Sequence, residues 1–188
     1  MEEQGKSKEG RFHIYAGDGK GKTTASVGLS IRAAGRGWRV LFVQFLKSGN
    51  SGELTMMEKI QAQGLGQIKV VTGQKINKFT FRQTPEELAI TREACKERLE
   101  EALQAAKAGE CDLLVLDEAL GAIHAGVLDE KILTDFVAAN RPLTFELVVT
   151  GRDPSPALIE LADYYSEVCA RKHPYETIQL NARPGVEF

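Results

Sequence analysis

The sequence predicts an α/β domain built on a mostly parallel sheet of five or six strands, with helices on both faces. Three observations predict it. Short apolar runs alternate with helical patterns, a glycine-rich loop joins the first strand to the first helix, and a later apolar run ends in two acids. At 188 residues the chain is the size of one domain that buries most of its apolar surface. Hydrophobic residues make up 43% and charged residues 27%, a globular rather than a disordered balance.

Residues 1–10 read as a loose polar arm and residues 11–188 as the domain. Phe12–Ala16 is the first strand, followed by the glycine loop. Lys22 to about Ala34 is a helix with Val27, Ile31 and Ala34 on one face, ended by Gly35 and Gly37. Val40–Phe45 suits a strand buried on both faces. Leu54–Ile60 is a short helix and Ile68–Thr72 a third strand, followed by a polar loop over Gly73–Gln83. Thr84-Pro85-Glu86-Glu87 is a helix start in which Thr84 caps, Pro85 takes the first helical position and Glu87 completes a capping box. That helix runs to about Ala108, where Gly109 stops it. Leu113–Leu116 is a fourth strand, Asp129 caps a helix through Ala139, and Phe145–Val149 is a fifth strand. Pro156–Tyr164 is the last clear helix, and Ser166–Ala170 a short sixth strand.

Composition narrows the function classes. A net charge of −2, with Lys and Arg spread along the chain, argues against a general nucleic-acid binder. No apolar run approaches membrane-spanning length, and Met1 to Gly10 lacks the apolar core of a signal peptide, so the expected location is the cytoplasm. Cys95, Cys111 and Cys169 lie far apart, as free thiols in a reducing compartment would. His13, His124 and His173 are equally scattered and give no zinc spacing.

The chemistry-bearing segment is Ala16-Gly17-Asp18-Gly19-Lys20-Gly21-Lys22-Thr23-Thr24. Between a strand and a helix, such a loop turns consecutive backbone N–H groups around phosphate oxygens. The helix start adds partial positive charge, Lys22 a full one, and the Thr23 hydroxyl is placed to ligate Mg²⁺. In the pattern GxxxxGK[ST], Ala16 occupies the first glycine position. Counted from Gly17, the loop is one residue short. Leu113–Leu116 ends in Asp117 and Glu118, and a strand of this kind is expected beside the first one, with its acids facing the metal. Adjacent side chains on a strand point to opposite faces, so only one acid reaches the metal directly unless the strand has already ended. Taken alone, the pair equally fits solvated acids at a strand end.

Asn77-Lys78-Phe79-Thr80-Phe81-Arg82-Gln83 has two readings. Pattern alone favours a short edge strand with Phe79 and Phe81 facing the core. The sharper alternative is a lid with two aromatic faces for a large flat ligand. Arg152, after the fifth strand, is placed at the ligand end of the sheet or simply on the surface. His173-Pro174-Tyr175 is most simply a turn, and His124 belongs to a surface turn or helix.

In order, these segments resemble the ATP:corrinoid adenosyltransferases of the CobA/BtuR type. The resemblance is carried by Ile14–Thr24 (IYAGDGKGKTT), Val43–Lys47 (VQFLK), Gly52-Glu53, Phe79-Thr80-Phe81, Leu116–Leu120 (LDEAL), Val149–Arg152 (VTGR), Leu161–Asp163 (LAD) and Gly185-Val186-Glu187-Phe188. It spans about residue 11 to the C-terminus, and the short loop spacing is characteristic of the family. The chain departs from the family's pattern where Asp18 stands for a common Asn and Phe81 for a common Trp. Its arm is also short and polar, where some relatives have a helix covering the corrinoid.

The resemblance implies a RecA-like P-loop fold in three layers, a homodimer, and a reduced flavoprotein as electron donor. It implies that ATP lies reversed along the loop, so that the ribose 5′-carbon meets the Co(I) of a corrinoid, giving an adenosyl–cobalt bond and triphosphate. Gly17, Asp18, Gly19, Lys20, Gly21, Lys22, Thr23, Thr24 and Arg152 would then hold ATP. Lys20, Lys22 and Glu118 would serve the reaction. Thr23 and Glu118, with Asp117, would hold Mg²⁺, and Phe79 and Phe81 would close over the corrinoid and displace its lower nitrogen ligand. No Ser/His/Asp or Cys/His set is visible, and this scheme needs none, because the cofactor carries the hard chemistry. Two rival expectations stand beside it: an ordinary P-loop ATPase or kinase in which Glu118 orients the acceptor, and a nucleotide-binding module without turnover.

Overall fold

The structure is a computed structural model that describes residues 9–47, 51–73, 76 and 78–186. Residues 1–8 of the arm, Asn77 of the two-phenylalanine loop, and Glu187 and Phe188 lie outside the described residues.

Six strands form one sheet. They are β1 (Phe12–Ala16), β2 (Arg39–Gln44), β3 (Gln67–Val71), β4 (Leu113–Asp117), β5 (Glu146–Gly151) and β6 (Tyr164–Glu167). Their order is β3-β2-β4-β5-β1-β6. Every pairing is parallel. β4 is buried along its whole length, as a strand covered on both faces must be.

Seven helices accompany the sheet among the described residues: α1 (Lys22–Ala34), α2 (Gly52–Ala62), α3 (Pro85–Lys107), α4 (Ala119–His124), α5 (Glu130–Ala139), α6 (Pro156–Leu161) and α7 (Pro174–Ile178). Two apolar cores result, one on each face. Ala33 and Ala34 of α1 and Leu54 and Met57 of α2 pack on Val40, Phe42, Leu113 and Val115. On the other face, Cys95, Leu99, Leu103 and Ala106 recur at helical spacing along α3 and pack on Leu41, Val43, Leu114 and Leu116. The three-layer α/β sandwich is the predicted one.

Local signals act as expected where capping chemistry is explicit. Thr84 accepts from Glu87 N–H while the Glu87 carboxylate accepts from Thr84 N–H, a complete capping box under Pro85. Asp129 accepts from Lys131 N–H at the start of α5.

Three local expectations are corrected. First, β4 is not beside β1, because β5 lies between them. The acids at the end of β4 therefore face the loop across an intervening strand. Second, α6 stops at Leu161, and the last strand begins at Tyr164 rather than Ser166. The cause is pairing with β1: Asp163 N–H donates to Phe12 O at 2.8 Å, and the Asp163 carboxylate accepts Phe12 N–H at 2.7 Å. Third, Phe79 and Phe81 do not face the core from an edge strand. Phe79 caps and Phe81 sits within a single 3₁₀ turn, Thr80–Arg82, and they stand 69% and 77% exposed.

Candidate functional site

The glycine loop is shaped by close approach to a late segment of the chain. Gly17 and Gly21 take φ of 117° and 114°, a region that favours glycine. At Gly19 a Cβ would stand 2.6 Å from Val168 O, and Gly19 N–H donates to that same oxygen at 2.7 Å. Asp18 Oδ1 accepts Ala170 N–H at 2.9 Å, which holds its carboxyl below the usual range. The segment just after β6 thus backs the loop.

α1 opens directly from this loop. Its N-cap is Gly21, with no capping side chain and no acid in the first turn. The first N–H groups of a helix have no intrahelical partner, and here no side chain takes their place. That end is left as a site for an anion. Lys22 Nζ donates to Gly19 O at 2.8 Å. Burial, and then the positive charge of Arg152, push the Lys22 pKa down.

Asp117, the last residue of β4, is fully buried and sits at the centre of the polar network. Thr23 Oγ1 donates to its Oδ1 at 2.9 Å, and Thr150 Oγ1 to the same oxygen at 2.8 Å. Gln44 Nε2 donates to Oδ2 at 3.0 Å, and Lys47 Nζ lies 3.4 Å from Oδ2. Register explains the grouping: Gln44 pairs with Asp117 across β2 and β4, and Thr150 follows Val149, which pairs with Leu116 across β5 and β4. Both oxygens of this buried carboxylate are thus met by donors, as a buried polar group requires.

Glu118 leaves the strand at φ 61°, so the two acids escape the alternation that would send them to opposite faces. Its N–H donates to Thr150 Oγ1 at 2.9 Å, and its side chain opens onto the cleft. Glycine at 121 makes room, since a Cβ there would lie 2.6 Å from Glu118 Oε1. Burial, and then the charge of Asp117, raise the Glu118 pKa.

The cleft has a volume of about 590 Å³ and runs along the loop from Asp18 to Thr24. Lys47, Gly52, Glu53, Glu118 and Arg152 form other parts of its wall, with His173. The predicted residues Lys20, Lys22, Thr23, Thr24, Glu118 and Arg152 therefore share one space. Gly17 lies behind it and Asp117 beneath it. Phe79 and Phe81 do not line it; their rings stack on each other with centroids 5.4 Å apart, and Arg82 lies over Phe81.

The oxygens present suit a hard cation. Because Thr23 gives its hydrogen to Asp117, its lone pairs are left for a metal, and the Lys47 ammonium already stands 3.4 Å from that oxygen. Among the described residues no group of three or more His, Cys, Asp or Glu side chains converges as a ligand set. A cation here would take the rest of its shell from phosphate oxygens and water, as Mg²⁺ does.

Four participants escape the sequence reading: Gln44, Lys47, Thr150 and His173. The first three lie at or just past the carboxyl ends of parallel strands, which line the ligand crevice in such sheets. His173 is more than a turn residue, since its Nδ1 accepts Tyr175 N–H as the N-cap of α7.

A strand, a glycine loop, an uncapped helix start and an acid facing the loop's threonine define a P-loop nucleotide-binding protein of the α/β class. The profile of the ATP:corrinoid adenosyltransferase BtuR/CobO/CobP family matches residues 8–188. The chain belongs to that family. It is 30% identical over 191 residues to the corrinoid adenosyltransferase of Pseudomonas aeruginosa, covering 98% of this chain and 87% of that protein. It is also 30% identical over 188 residues to the corrinoid adenosyltransferase of Escherichia coli K12, covering 98% and 89%. To the corrinoid adenosyltransferase CobA of Salmonella typhimurium it is 29% identical over 187 residues, again covering 98% and 89%.

Proposed function

We propose that this protein transfers the 5′-deoxyadenosyl group of ATP to the Co(I) of a corrinoid and releases triphosphate. The observation that carries the reading is the anion site itself, formed by the uncapped start of α1 with Lys20, Lys22 and Arg152 around one cleft in a chain of this family. In the reaction, cobalt supplies an electron pair to the 5′-carbon. A cobalt–carbon bond forms, the carbon–oxygen bond breaks, and the oxygen leaves with the three phosphates.

The protein's own contribution is to hold and to stabilise. Lys22 and the N–H groups that begin α1 face the departing polyphosphate and offset its growing charge. Lys22 is suited to this because burial and Arg152 lower its pKa, so an anion beside it is strongly favoured. Thr23, with Glu118 in the cleft and Asp117 beneath, would hold Mg²⁺. Bound there, Mg²⁺ supplies further neutralisation of the phosphate oxygens. Arg152 reaches the same cleft from the end of β5.

Phe79 and Phe81 are assigned to the corrinoid. Two exposed, stacked rings on a short turn offer a flat apolar surface. Taking the place of an axial nitrogen, they would make cobalt easier to reduce, since axial ligation sets a metal's potential. A reduced flavoprotein donor and a homodimer complete the reading. The three free thiols suit a reducing cytoplasm.

One observation serves a second reading. Glu118, partly buried beside Lys22 with a raised pKa, would also suit an acid that orients water or an acceptor hydroxyl in an ATPase or kinase. Products separate the two. Anaerobic incubation with ATP, Mg²⁺ and chemically reduced corrinoid should give the adenosylated visible spectrum and triphosphate. ADP with an unchanged corrinoid spectrum would overturn the adenosyltransferase reading.

A further inference from the structure

Lys47 is a cation that neither the loop motif nor the acid pair accounts for. It stands three residues past the end of β2, after Leu46, whose φ of 56° turns the chain at the strand end. Its Nζ lies 3.4 Å from Thr23 Oγ1 and 3.4 Å from Asp117 Oδ2, and its side chain is 39% exposed on the wall of the cleft. Thr23 has already given its hydrogen to Asp117, so the ammonium meets the hydroxyl at a lone pair. A divalent cation ligated by Thr23 needs that same oxygen, and two cations cannot share it without strong repulsion.

We propose that Lys47 is a displaceable counter-ion. Before nucleotide arrives, it balances Asp117 and covers the Thr23 oxygen. When Mg²⁺ enters with ATP, Lys47 yields that oxygen and its flexible four-carbon stem carries the ammonium onto the polyphosphate. The number of cations facing the phosphates then rises by one only in the metal-loaded state. This inference rests on the metal reading given under Proposed function.

The test uses the full chain, as wild type, Lys47→Met and Lys47→Arg. ATP binding is measured calorimetrically with a chelator and with Mn²⁺, and Mn²⁺ binding without nucleotide is followed by loss of the free-ion paramagnetic signal. Lys47→Met should bind Mn²⁺ roughly threefold or more tightly without nucleotide, since a competing cation is gone. It should bind ATP roughly tenfold more weakly in Mn²⁺, the worth of one charge-assisted contact, but by less than about twofold in chelator. Lys47→Arg keeps the charge and should stay within about threefold of wild type in Mn²⁺. Opposite shifts in metal and nucleotide affinity are not what a merely structural lysine would give. Equal losses with and without metal, or Mn²⁺ affinity that is unchanged or lower, would overturn the proposal. If wild-type ATP affinity is the same in chelator and Mn²⁺, the metal reading falls and the exchange with it. Metal-dependent wild type with Lys47→Met behaving identically sinks the exchange alone.

Discussion

Thr150 Oγ1 donates to Asp117 Oδ1 at 2.8 Å while accepting Glu118 N–H at 2.9 Å. One hydroxyl on β5 therefore fixes both acids at the end of β4. We expect Thr150→Val, nearly the same shape without the hydroxyl, to lose about 1–3 kcal/mol of stability, because Glu118 N–H loses its partner and the buried Asp117 Oδ1 keeps only Thr23. Urea denaturation checks this. An unchanged midpoint would mean that the acids are held in place without Thr150.

Lys22→Ala should lower the rate of adenosyl transfer at saturating ATP by roughly 10²–10³, the scale for removing one stabilising group from a developing anion. Single-turnover assays isolate the chemical step. A normal rate would remove Lys22 from the assigned role.

Gly19→Ala should damage the loop rather than the fold as a whole. A Cβ at that position meets Val168 O at 2.6 Å and the Cys169 carbonyl carbon at 2.8 Å, both backbone atoms with little freedom to move. We expect a cost of about 1–3 kcal/mol from overpacking, with ATP binding weakened more than tenfold. Titration calorimetry beside thermal denaturation separates the two effects.

Glu118 gives the site a pH signature. Burial first, then Asp117, raise its pKa above the ordinary 4.5, so over that interval the folded chain holds a proton the unfolded chain has lost. Its contribution to stability is therefore fully present below the ordinary value and is lost as pH rises through the raised one. Glu118→Gln should be more stable than wild type near about pH 8, with the two melting curves converging toward about pH 4. Parallel curves across that range would show that Glu118 carries no such strain.

Phe79→Ala with Phe81→Ala should leave stability within about 0.5 kcal/mol of wild type, since both rings are exposed. Reactions started from Co(II) should be crippled and those started from chemically prepared Co(I) spared. Equal losses in both assays would assign the rings to something other than reduction.

Much of the fold was readable because its central strands β2, β4 and β5 are buried on both faces and its main helix carries explicit caps. β4 is apolar from Leu113 to Leu116, and Thr84 with Glu87 marks the start of α3. The join between α6 and β6 was not readable, because Tyr164–Glu167 is exposed throughout and shows no apolar alternation. Strand order was misread for a different reason. It depends on crossovers between elements far apart in sequence, and nothing in Leu113–Glu118 says that β5 intervenes. The loop, Asp117 and Glu118 could be found from spacing, whereas Lys47 and Thr150 are single polar residues whose meaning depends on register.

The latch between the loop and the chain after β6 has a consequence for biosynthesis. Asp18 and Ala170, joined by a hydrogen bond, are 152 positions apart. Val168 likewise supplies the surface against which Gly19 is seated. A nascent chain emerging from the ribosome makes its phosphate-gripping segment well before the segment that supports it, which comes only with Val168 to Ala170. Nucleotide binding at this loop therefore depends on a segment made 152 positions later, counted from Asp18 to Ala170.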